Sequence, residues 1–318
     1  MKLLSKIESS FFVHEGMERK EGMLEKTESM TAKMCAFARA HHSYFSPDKI
    51  YDDYLAYDLL GRDEYEEIKK IMNSVFRSVE NDEKQSWKQA IDKFVSPIVL
   101  TRIGYTEIKL NEFAKENETC QYVICGAGID SFSFRNENSN IEIFELDHPD
   151  TQRYKLARIK EMGWVIPQNV HFVPVDFEVQ SIDEVLIEHG FNPEKKSFFS
   201  ILGVSYYLSL ETLNFTFSSI SRISSEGSWI VFDYPDFNGH NDERFEKLKR
   251  ITAMLGEEMQ DGFSYESLED KLLINGFSVL DYKSPEHIQK IYFDRRKDEL
   301  CASNNVHFIL ANYKKGEN

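Results

Sequence analysis

Two glycines and an aspartate at the ends of two apolar runs are the strongest candidates for chemistry in this sequence. The first run, Gln121–Cys125, is rich in β-branched and aromatic residues and is followed by Gly126 and Gly128. Its composition predicts a buried parallel strand, and glycines after it allow a sharp turn and a close approach to a ligand. The second run ends at Asp147, about 20 residues further on, where a carboxylate can accept hydrogen bonds from both ribose hydroxyls. The two runs predict the start of a nucleoside-binding βαβ unit.

The turn between them differs from the turn that binds dinucleotides. It lacks the third glycine of the GxGxxG pattern, and it places Asp130 at the start of the following helix. A carboxylate at a helix N-terminus opposes a pyrophosphate, but it suits a ligand that has a cationic amino-acid end. The turn therefore favours S-adenosylmethionine over NAD as the ligand.

The composition is that of an acidic chain with enough apolar residues for a substantial core. Of the 318 residues, 41% are hydrophobic, and 54 acidic against 38 basic residues give a formal charge of −16. This length forms one large or two small domains. Because the negative charge repels phosphate backbones and anionic lipid surfaces, we expect neither nucleic acid nor a membrane as a partner.

The N-terminal residues and the cysteines give further expectations about location and metals. The first residues carry a charge every few positions and lack the apolar segment of a signal peptide, and no later stretch reaches membrane-spanning length. We therefore expect a cytoplasmic protein. The four cysteines show no CxxC spacing, and no histidine has metal-ligand spacing with a second ligand. We expect neither disulfides nor a metal site.

Hydrophobic periodicity divides the chain into two predicted parts. From about residue 20 to 115 apolar residues return every three or four positions, which predicts an N-terminal helical layer, residues 1–115, packed on a catalytic domain, residues 116–318. The second part contains seven apolar runs separated by amphipathic segments: Tyr122–Cys125, Ile141–Glu145, Val170–Val175, Phe198–Val204, Trp229–Tyr234, Phe277–Tyr282 and Val306–Tyr313. This alternation predicts an α/β fold with a doubly wound sheet of seven strands.

A long charged stretch, residues 235–262, follows the fifth run. It is too long for a simple turn and predicts a helical insertion near the carboxyl ends of the strands, where ligands bind in open sheets. His240 lies in this stretch, either as an exposed loop residue or as a base for a phenolic acceptor. Phe11 and Phe12 are candidates to close over the site or to anchor the N-terminus.

The double motif resembles the leucine carboxyl methyltransferase family, whose bacterial members include small-molecule O-methyltransferases of the polyketide type. The matching segments are Cys125–Arg135, with the pattern GAGxDxxxxR, and Phe144–Pro149, with the pattern FExDxP. Looser matches appear in the family's order at Thr31–Lys33, Arg39–Ala40, Arg102–Glu107, Val175–Asp176, Gly203–Leu208 and Gly276–Phe277. The resemblance implies a class I S-adenosylmethionine-dependent methyltransferase with a Rossmann-like sheet whose last strand is antiparallel and lies beside the fifth.

The resemblance also implies roles in cofactor binding. Arg102 pairs with the methionine carboxylate, Gly126 approaches the ligand and Asp147 holds the ribose. Asp176 and Phe177 border the adenine. A planar guanidinium group can bind a carboxylate with two parallel hydrogen bonds. Two alternatives stay open: Arg102 pairs with Glu107 on a helix surface, and Asp176 caps a following helix.

Four more residues complete the predicted cofactor site. Gly128 and Asp130 belong to the turn itself. Lys33 and Arg39 are candidates for the methionine carboxylate, since the family places basic residues there, with a solvated charge on a polar helix as the alternative. Leu202 stands where many family members carry Glu, which puts a carboxylate contact to the cofactor in question.

For the acceptor, Tyr206 and Tyr207 are the candidate catalytic residues, and the alternative is that they pack under the sheet edge. Methyl transfer from a sulfonium is an in-line displacement that needs alignment and exclusion of water more than it needs catalytic side chains. We predict an O-methyltransferase that uses S-adenosylmethionine and acts on a carboxylate or hydroxyl of a small molecule. A methyltransferase for the C-terminal carboxylate of a protein and a non-catalytic module that binds S-adenosylmethionine are the alternatives.

Overall fold

The computed structural model of the protein describes residues 29–80, 86–177, 179–236 and 243–315. Phe11, Phe12 and His240 lie outside the described residues. Within those ranges, every helix is too short or too polar to cross a lipid bilayer.

The described residues before the sheet, 29–80 and 86–116, are mainly helical. Ser29 begins the first helix by accepting a hydrogen bond from the backbone of Ala32, and a one-turn π-helix joins the last two helices of the layer. Such π-helical turns add a residue per turn and often mark functional sites. The elements are α1 (Met30–Phe45), α2 (Ala56–Leu60), α3 (Arg62–Glu80), α4 (Trp87–Ala90), the π-helical turn Ile91–Val95 and α5 (Ser96–Glu116).

The seven apolar runs form one sheet of seven strands, which confirms the predicted doubly wound architecture. The strands are β1 (Cys120–Cys125), β2 (Ile141–Asp147), β3 (Val170–Pro174), β4 (Ser197–Ile201), β5 (Trp229–Pro235), β6 (Phe277–Lys283) and β7 (Val306–Tyr313). Their order in the sheet is β3-β2-β1-β4-β5-β7-β6. The last strand is antiparallel to both neighbours and lies beside the fifth, as the resemblance implies.

Seven helices connect or follow the strands: α6 (Phe132–Arg135), α7 (Pro149–Glu161), α8 (Ile182–Glu188), α9 (Leu210–Ile223), α10 (Glu243–Met254), α11 (Tyr265–Ile274) and α12 (Pro285–Tyr292). Alternate residues of β1 face opposite sides of the sheet. Tyr122 and Ile124 pack with the N-terminal helices, and Val123 packs with the side that carries α8, α9 and α11. The core is therefore a three-layer arrangement with the sheet in the middle.

The helical insertion after the fifth strand is α10. It packs against α3 and the π-helical turn, so it extends the N-terminal helical layer. The chain returns to the sheet where Phe263 forms a bridge with Asp236 just after β5. The insertion and the N-terminal helices together cover the carboxyl end of β1, which positions the cavity described next.

Candidate active site

A cavity of about 350 Å³ lies at the carboxyl ends of β1, β2 and β4. The ends of these strands and the segments after them, at Gly126, Asp147 and Gly203, form one wall, and α1, α5 and α10 form the others. This is the edge of an open parallel sheet at which ligands bind.

The glycine turn brings the backbone to the cavity surface. Gly126 and Gly128 have φ of 76° and 54°, which residues with side chains rarely adopt. A Cβ on Gly126 would lie 2.5 Å from Cγ2 of Val204, and a Cβ on Gly128 would lie 3.2 Å from Cβ of Ala32. Glycine is therefore required here for both backbone conformation and space.

Asp147 is fixed at the cavity by the backbone of two segments. One carboxylate oxygen accepts a hydrogen bond from the backbone N–H of Gly128, and the other accepts from the backbone N–H of His148 at 2.7 Å. Burial raises the pKa of Asp147 above its ordinary value, although both hydrogen bonds oppose this shift. Each oxygen keeps a further lone pair, so the carboxylate can accept from two hydroxyls of a ligand.

Asp130 and Arg39 stabilise the glycine turn through hydrogen bonds to the backbone that follows it. Asp130 accepts from the backbone N–H of Phe132 at 2.6 Å. Burial raises its pKa, but the guanidinium groups of Arg39 and Arg135 outweigh this and hold the pKa below the ordinary value. Arg39 also reaches the cavity, but it is buried, pairs with Asp53 at 2.8 Å and donates to the carbonyl of Ile129. Its charge is not solvated, and its bonds support the turn.

The structure does not bring Lys33 and Asp176 to the lining of the cavity, in contrast to the other predicted cofactor residues. Nζ of Lys33 pairs with Glu64 at 2.7 Å and lies 4.5 Å from the centre of the Tyr154 ring. Asp176 follows β3 but does not cap α8, whose N-cap residue is Ser181. Phe177 does line the cavity.

Arg102 extends from α5 to the loop after β4. Its Nη1 pairs with Asp233 at 3.2 Å, and its Nη2 lies 3.5 Å from Sγ of Cys35. Burial opposes the charge of Arg102, but Asp233 outweighs this effect and raises the pKa above its ordinary value. Glu107, the alternative partner, instead binds Arg135 at 2.7 Å. Nε of Arg102 is buried and has no hydrogen-bond partner among the described residues.

Tyr206 and Tyr207 lie in a 3₁₀ turn, Ser205–Tyr207, and both reach the cavity. The strand β4 ends earlier than its apolar run, at Ile201, because Gly203 turns the chain with a φ of 71°. The hydroxyl of Tyr206 is buried and donates to Asp233 at 2.9 Å. Burial together with the charge of Glu257 raises the pKa of Tyr207 above the ordinary value.

Two carboxylates at the site were missed by sequence reasoning. Glu257, after α10, accepts from the hydroxyl of Ser29 at 2.9 Å and from the backbone N–H of Thr31 at 3.1 Å, so the insertion caps α1. No local motif indicates it. Asp233 is a charged residue inside the otherwise apolar fifth run, and such a residue is seldom buried without a partner. That signal was available in the sequence.

The half of the cavity that faces the helical layer is apolar. Its side chains come from α1, the π-helical turn, α5, α10 and the segment after α10: Met34, Phe94, Val95, Ile98, Val99, Ile103, Leu248 and Met259. Their apolar surface can hold an apolar molecule and keep water from it.

The opposite half fits a nucleoside with an amino-acid end. A glycine cradle and a carboxylate with free lone pairs at Asp147 lie at the strand ends, and the guanidinium of Arg102 reaches the same cavity from α5. The Nε of this guanidinium is a buried donor without an acceptor among the described residues, and a guanidinium group is suited to binding a carboxylate. The observed groups therefore match the parts of S-adenosylmethionine.

Comparison with known sequences identifies the family. A sequence model described as leucine carboxyl methyltransferase matches residues 32–221. YktD of Bacillus subtilis, which is named as a candidate S-adenosyl-L-methionine-dependent methyltransferase, is 36% identical over 305 residues, covering 91% of this chain and 99% of that protein. A protein of Mycobacterium marinum with the same kind of name is 27% identical over 142 residues, covering 43% of this chain and 45% of the relative.

Comparison with solved structures supports the fold. A DUF574 family protein of Streptomyces avermitilis superposes with a TM-score of 0.57 at 10% identity, covering 90% of this chain and 98% of that one. A candidate methyltransferase of Thermobifida fusca gives a TM-score of 0.53 at 14% identity, covering 76% and 94%. The chain therefore belongs to the leucine carboxyl methyltransferase family and is an S-adenosyl-L-methionine-dependent methyltransferase.

Proposed function

We propose that the protein is an O-methyltransferase that methylates a carboxylate or hydroxyl of a small acceptor with an apolar body. The observation that carries this proposal is the apolar half of the cavity, which is continuous with the glycine turn and is built by α1, the π-helical turn, α5 and α10. Of the two predicted parts, residues 1–115 and 116–318, the described helices of the first and α10 of the insertion 235–262 supply the acceptor wall. The strand ends of the second supply most of the cofactor wall.

The cofactor roles of single residues are part of the proposal. Asp147 accepts the ribose hydroxyls, Arg102 binds the methionine carboxylate, and Gly126 and Gly128 leave space for the ligand. Phe177 packs beside the adenine. We do not extend this proposal to Lys33 and Asp176, because neither lines the cavity.

The bound cofactor supplies an electrophilic methyl group on a sulfonium. The protein's own contribution is to align the acceptor with that group and to exclude water. Tyr207 lines the cavity, and since its pKa is raised, its hydroxyl stays protonated and can donate a hydrogen bond but not act as a base. A carboxylate acceptor, which is ionised at neutral pH, needs no base. For this reason we favour a carboxylate over a phenol.

The test has two stages with the full chain. Calorimetry with S-adenosylhomocysteine, with NAD as the control, checks the cofactor site. Turnover is then measured on a panel of aliphatic and aromatic carboxylic acids, the matching phenols and a peptide with a free C-terminal carboxylate. Methylation of small acids supports the proposal, methylation of the peptide alone favours the protein carboxyl methyltransferase, and tight cofactor binding without any turnover on the panel overturns the proposal in favour of a binding module.

A further inference from the structure

Asp233, a fully buried residue of β5, joins three parts of the cavity wall. One of its carboxylate oxygens accepts from the backbone N–H of Gly203 at 2.7 Å. The other accepts from Nη1 of Arg102 at 3.2 Å and from the hydroxyl of Tyr206 at 2.9 Å. We propose that Asp233 is a positioning residue for cofactor recognition: it holds the guanidinium of Arg102 and the loop after β4 in the arrangement that receives the carboxylate of the cofactor. The inference rests on the proposed role of Arg102.

The first argument is which part of the guanidinium Asp233 occupies. It takes Nη1 and leaves the edge formed by Nε and Nη2. Nε has no partner among the described residues, and Nη2 lies 3.5 Å from the thiol of Cys35, a weak acceptor. That edge carries two parallel N–H groups, the arrangement that binds a carboxylate with two hydrogen bonds. Asp233 therefore leaves this edge of Arg102 without an acidic partner in the described part of the chain.

The second argument is that the same carboxylate fixes the loop against which the guanidinium lies. A Cβ on Gly203 would lie 2.5 to 2.7 Å from the atoms of the Arg102 guanidinium, so the two groups are in close contact. Because Asp233 binds the N–H of Gly203 with one oxygen and Arg102 with the other, it sets their relative position. Leu202, the neighbour of Gly203, offers no carboxylate to this loop, and Asp233 is the acid that lies against it.

The third argument is the energetic cost of any other arrangement. Asp233 is 0% exposed, and a buried carboxylate that loses its cationic partner is strongly destabilised. Tyr206 and the backbone supply hydrogen bonds but no positive charge. Arg102 is thus held in place before a ligand arrives, and less conformational freedom is lost when the ligand binds.

The experiment compares two ligands that differ by one group. Decarboxylated S-adenosylhomocysteine keeps the adenosine, the sulfur and the amine of S-adenosylhomocysteine but lacks the carboxylate. In Asp233→Asn the amide oxygen can still accept from Gly203, but the NH₂ group then faces Nη1 of Arg102, a donor against a donor. We expect calorimetric affinity for S-adenosylhomocysteine to fall at least about tenfold and affinity for the decarboxylated ligand to stay within about threefold.

Glu145→Gln is the matched control, because Glu145 is also a buried strand carboxylate with a cationic partner, Lys155, and both are 1% exposed. Its effect should be equal for the two ligands. Equal losses for both ligands in Asp233→Asn, or no loss for either, would overturn the positioning role. If Asp233→Asn does not fold, Asp233→Glu replaces it, since the longer side chain keeps the charge but displaces the guanidinium; the same ligand-selective loss is expected, and its absence overturns the role.

The double variant Arg102→Gln/Asp233→Asn separates positioning from general damage. If Asp233 acts through Arg102, its substitution should cost little further affinity for S-adenosylhomocysteine once Arg102 is replaced, so the two effects are not additive. Additive losses contradict the proposal. The proposed function fails separately, since it depends on acceptor turnover by the wild-type protein, which none of these binding measurements involves.

Discussion

The two halves of the cavity recognise their ligands by different interactions: hydrogen bonds in one half and apolar contacts in the other. The cofactor half is built from segments at strand ends, where hydrogen bonds fix groups such as Asp147 and Asp233. The acceptor half is built from apolar side chains on helices, such as Phe94, Ile98 and Leu248. Hydrogen bonds are directional and lose most of their strength when misplaced, whereas apolar contact scales with area. Substitutions should therefore have abrupt effects in the first half and graded effects in the second.

The largest effect is expected from Gly126→Ala. The new Cβ lies 2.5 Å from Val204 and the residue must hold a φ of 76°, so the turn and the loop after β4 have to separate. We expect cofactor affinity, measured by calorimetry, to fall on the order of 100-fold.

Gly163→Ala is the matched control, since Gly163 has a φ of 67° and no atom within 4 Å of its added Cβ. It should lower the free energy of unfolding by about 1 kcal/mol and leave cofactor affinity unchanged. Similar cofactor affinities in both variants would contradict the expectation that substitutions in the cofactor half have abrupt effects.

The second effect is expected from Asp147→Ala, which removes an acceptor of two ribose hydroxyls. Hydrogen bonds to a charged acceptor contribute about 1.5 to 3 kcal/mol each, so affinity for S-adenosylhomocysteine should fall more than about tenfold. Glu142→Ala, on the same strand but paired with His171 away from the cavity, should leave the affinity unchanged. Affinity of Asp147→Ala within about twofold of wild type would remove Asp147 from the ribose site.

A smaller, graded effect is expected from Ile98→Val in the acceptor half. It removes one methylene, worth about 0.8 kcal/mol, so KM for an apolar acceptor should rise about fourfold while cofactor affinity is unchanged. Ile108→Val on the same helix is the control, because Ile108 is 52% exposed and lies outside the cavity lining. An equal change in acceptor KM for both variants would show that the acceptor does not contact this wall.

The same division explains what the sequence predicts and what it does not. The strands, the glycine turn and Asp147 are determined locally, by apolar runs and by glycines that the backbone requires. They can therefore be predicted from the sequence alone. Asp233 and Arg102 are 131 positions apart, and the packing of α5 against β4 and β5 brings them together. The fold class was therefore predictable in full, but the contacts of the site only in part.

Lys33 shows that a residue on a helix that lines the cavity does not always direct its own side chain into the cavity. It lies on α1 close to Ala32 and Cys35, both of which line the cavity, yet its side chain pairs with Glu64 of α3. The face of α1 that turns toward the sheet is set by packing against α2, α3 and α5, which a motif match does not contain. The acceptor wall was not predictable for the same reason, since its apolar residues have the spacing of ordinary core positions.

The smallest effect is expected from pH near neutrality, where a carboxylate acceptor is already ionised and needs no protein base. Tyr207 has a raised pKa and stays protonated in this range. For a carboxylate acceptor, kcat/KM should show no ionisation of an essential protein group between about pH 6.5 and 8.5, and chelators should leave it unchanged.

Below neutral pH, the affinity for the cofactor should depend on pH through Asp147, which belongs to the cofactor half of the cavity. The affinity that depends on ionised Asp147 is present above its pKa and is lost as the pH falls through it, at a higher pH than for an ordinary aspartate. Cofactor affinity should then decline on the acid side, and Asp147→Asn, which carries no charge at any pH, should be weak and flat over the same range. A neutral-range ionisation in kcat/KM that stays at the same pH for acceptors of different pKa would instead reveal a protein base, and the carboxylate preference would have to be abandoned.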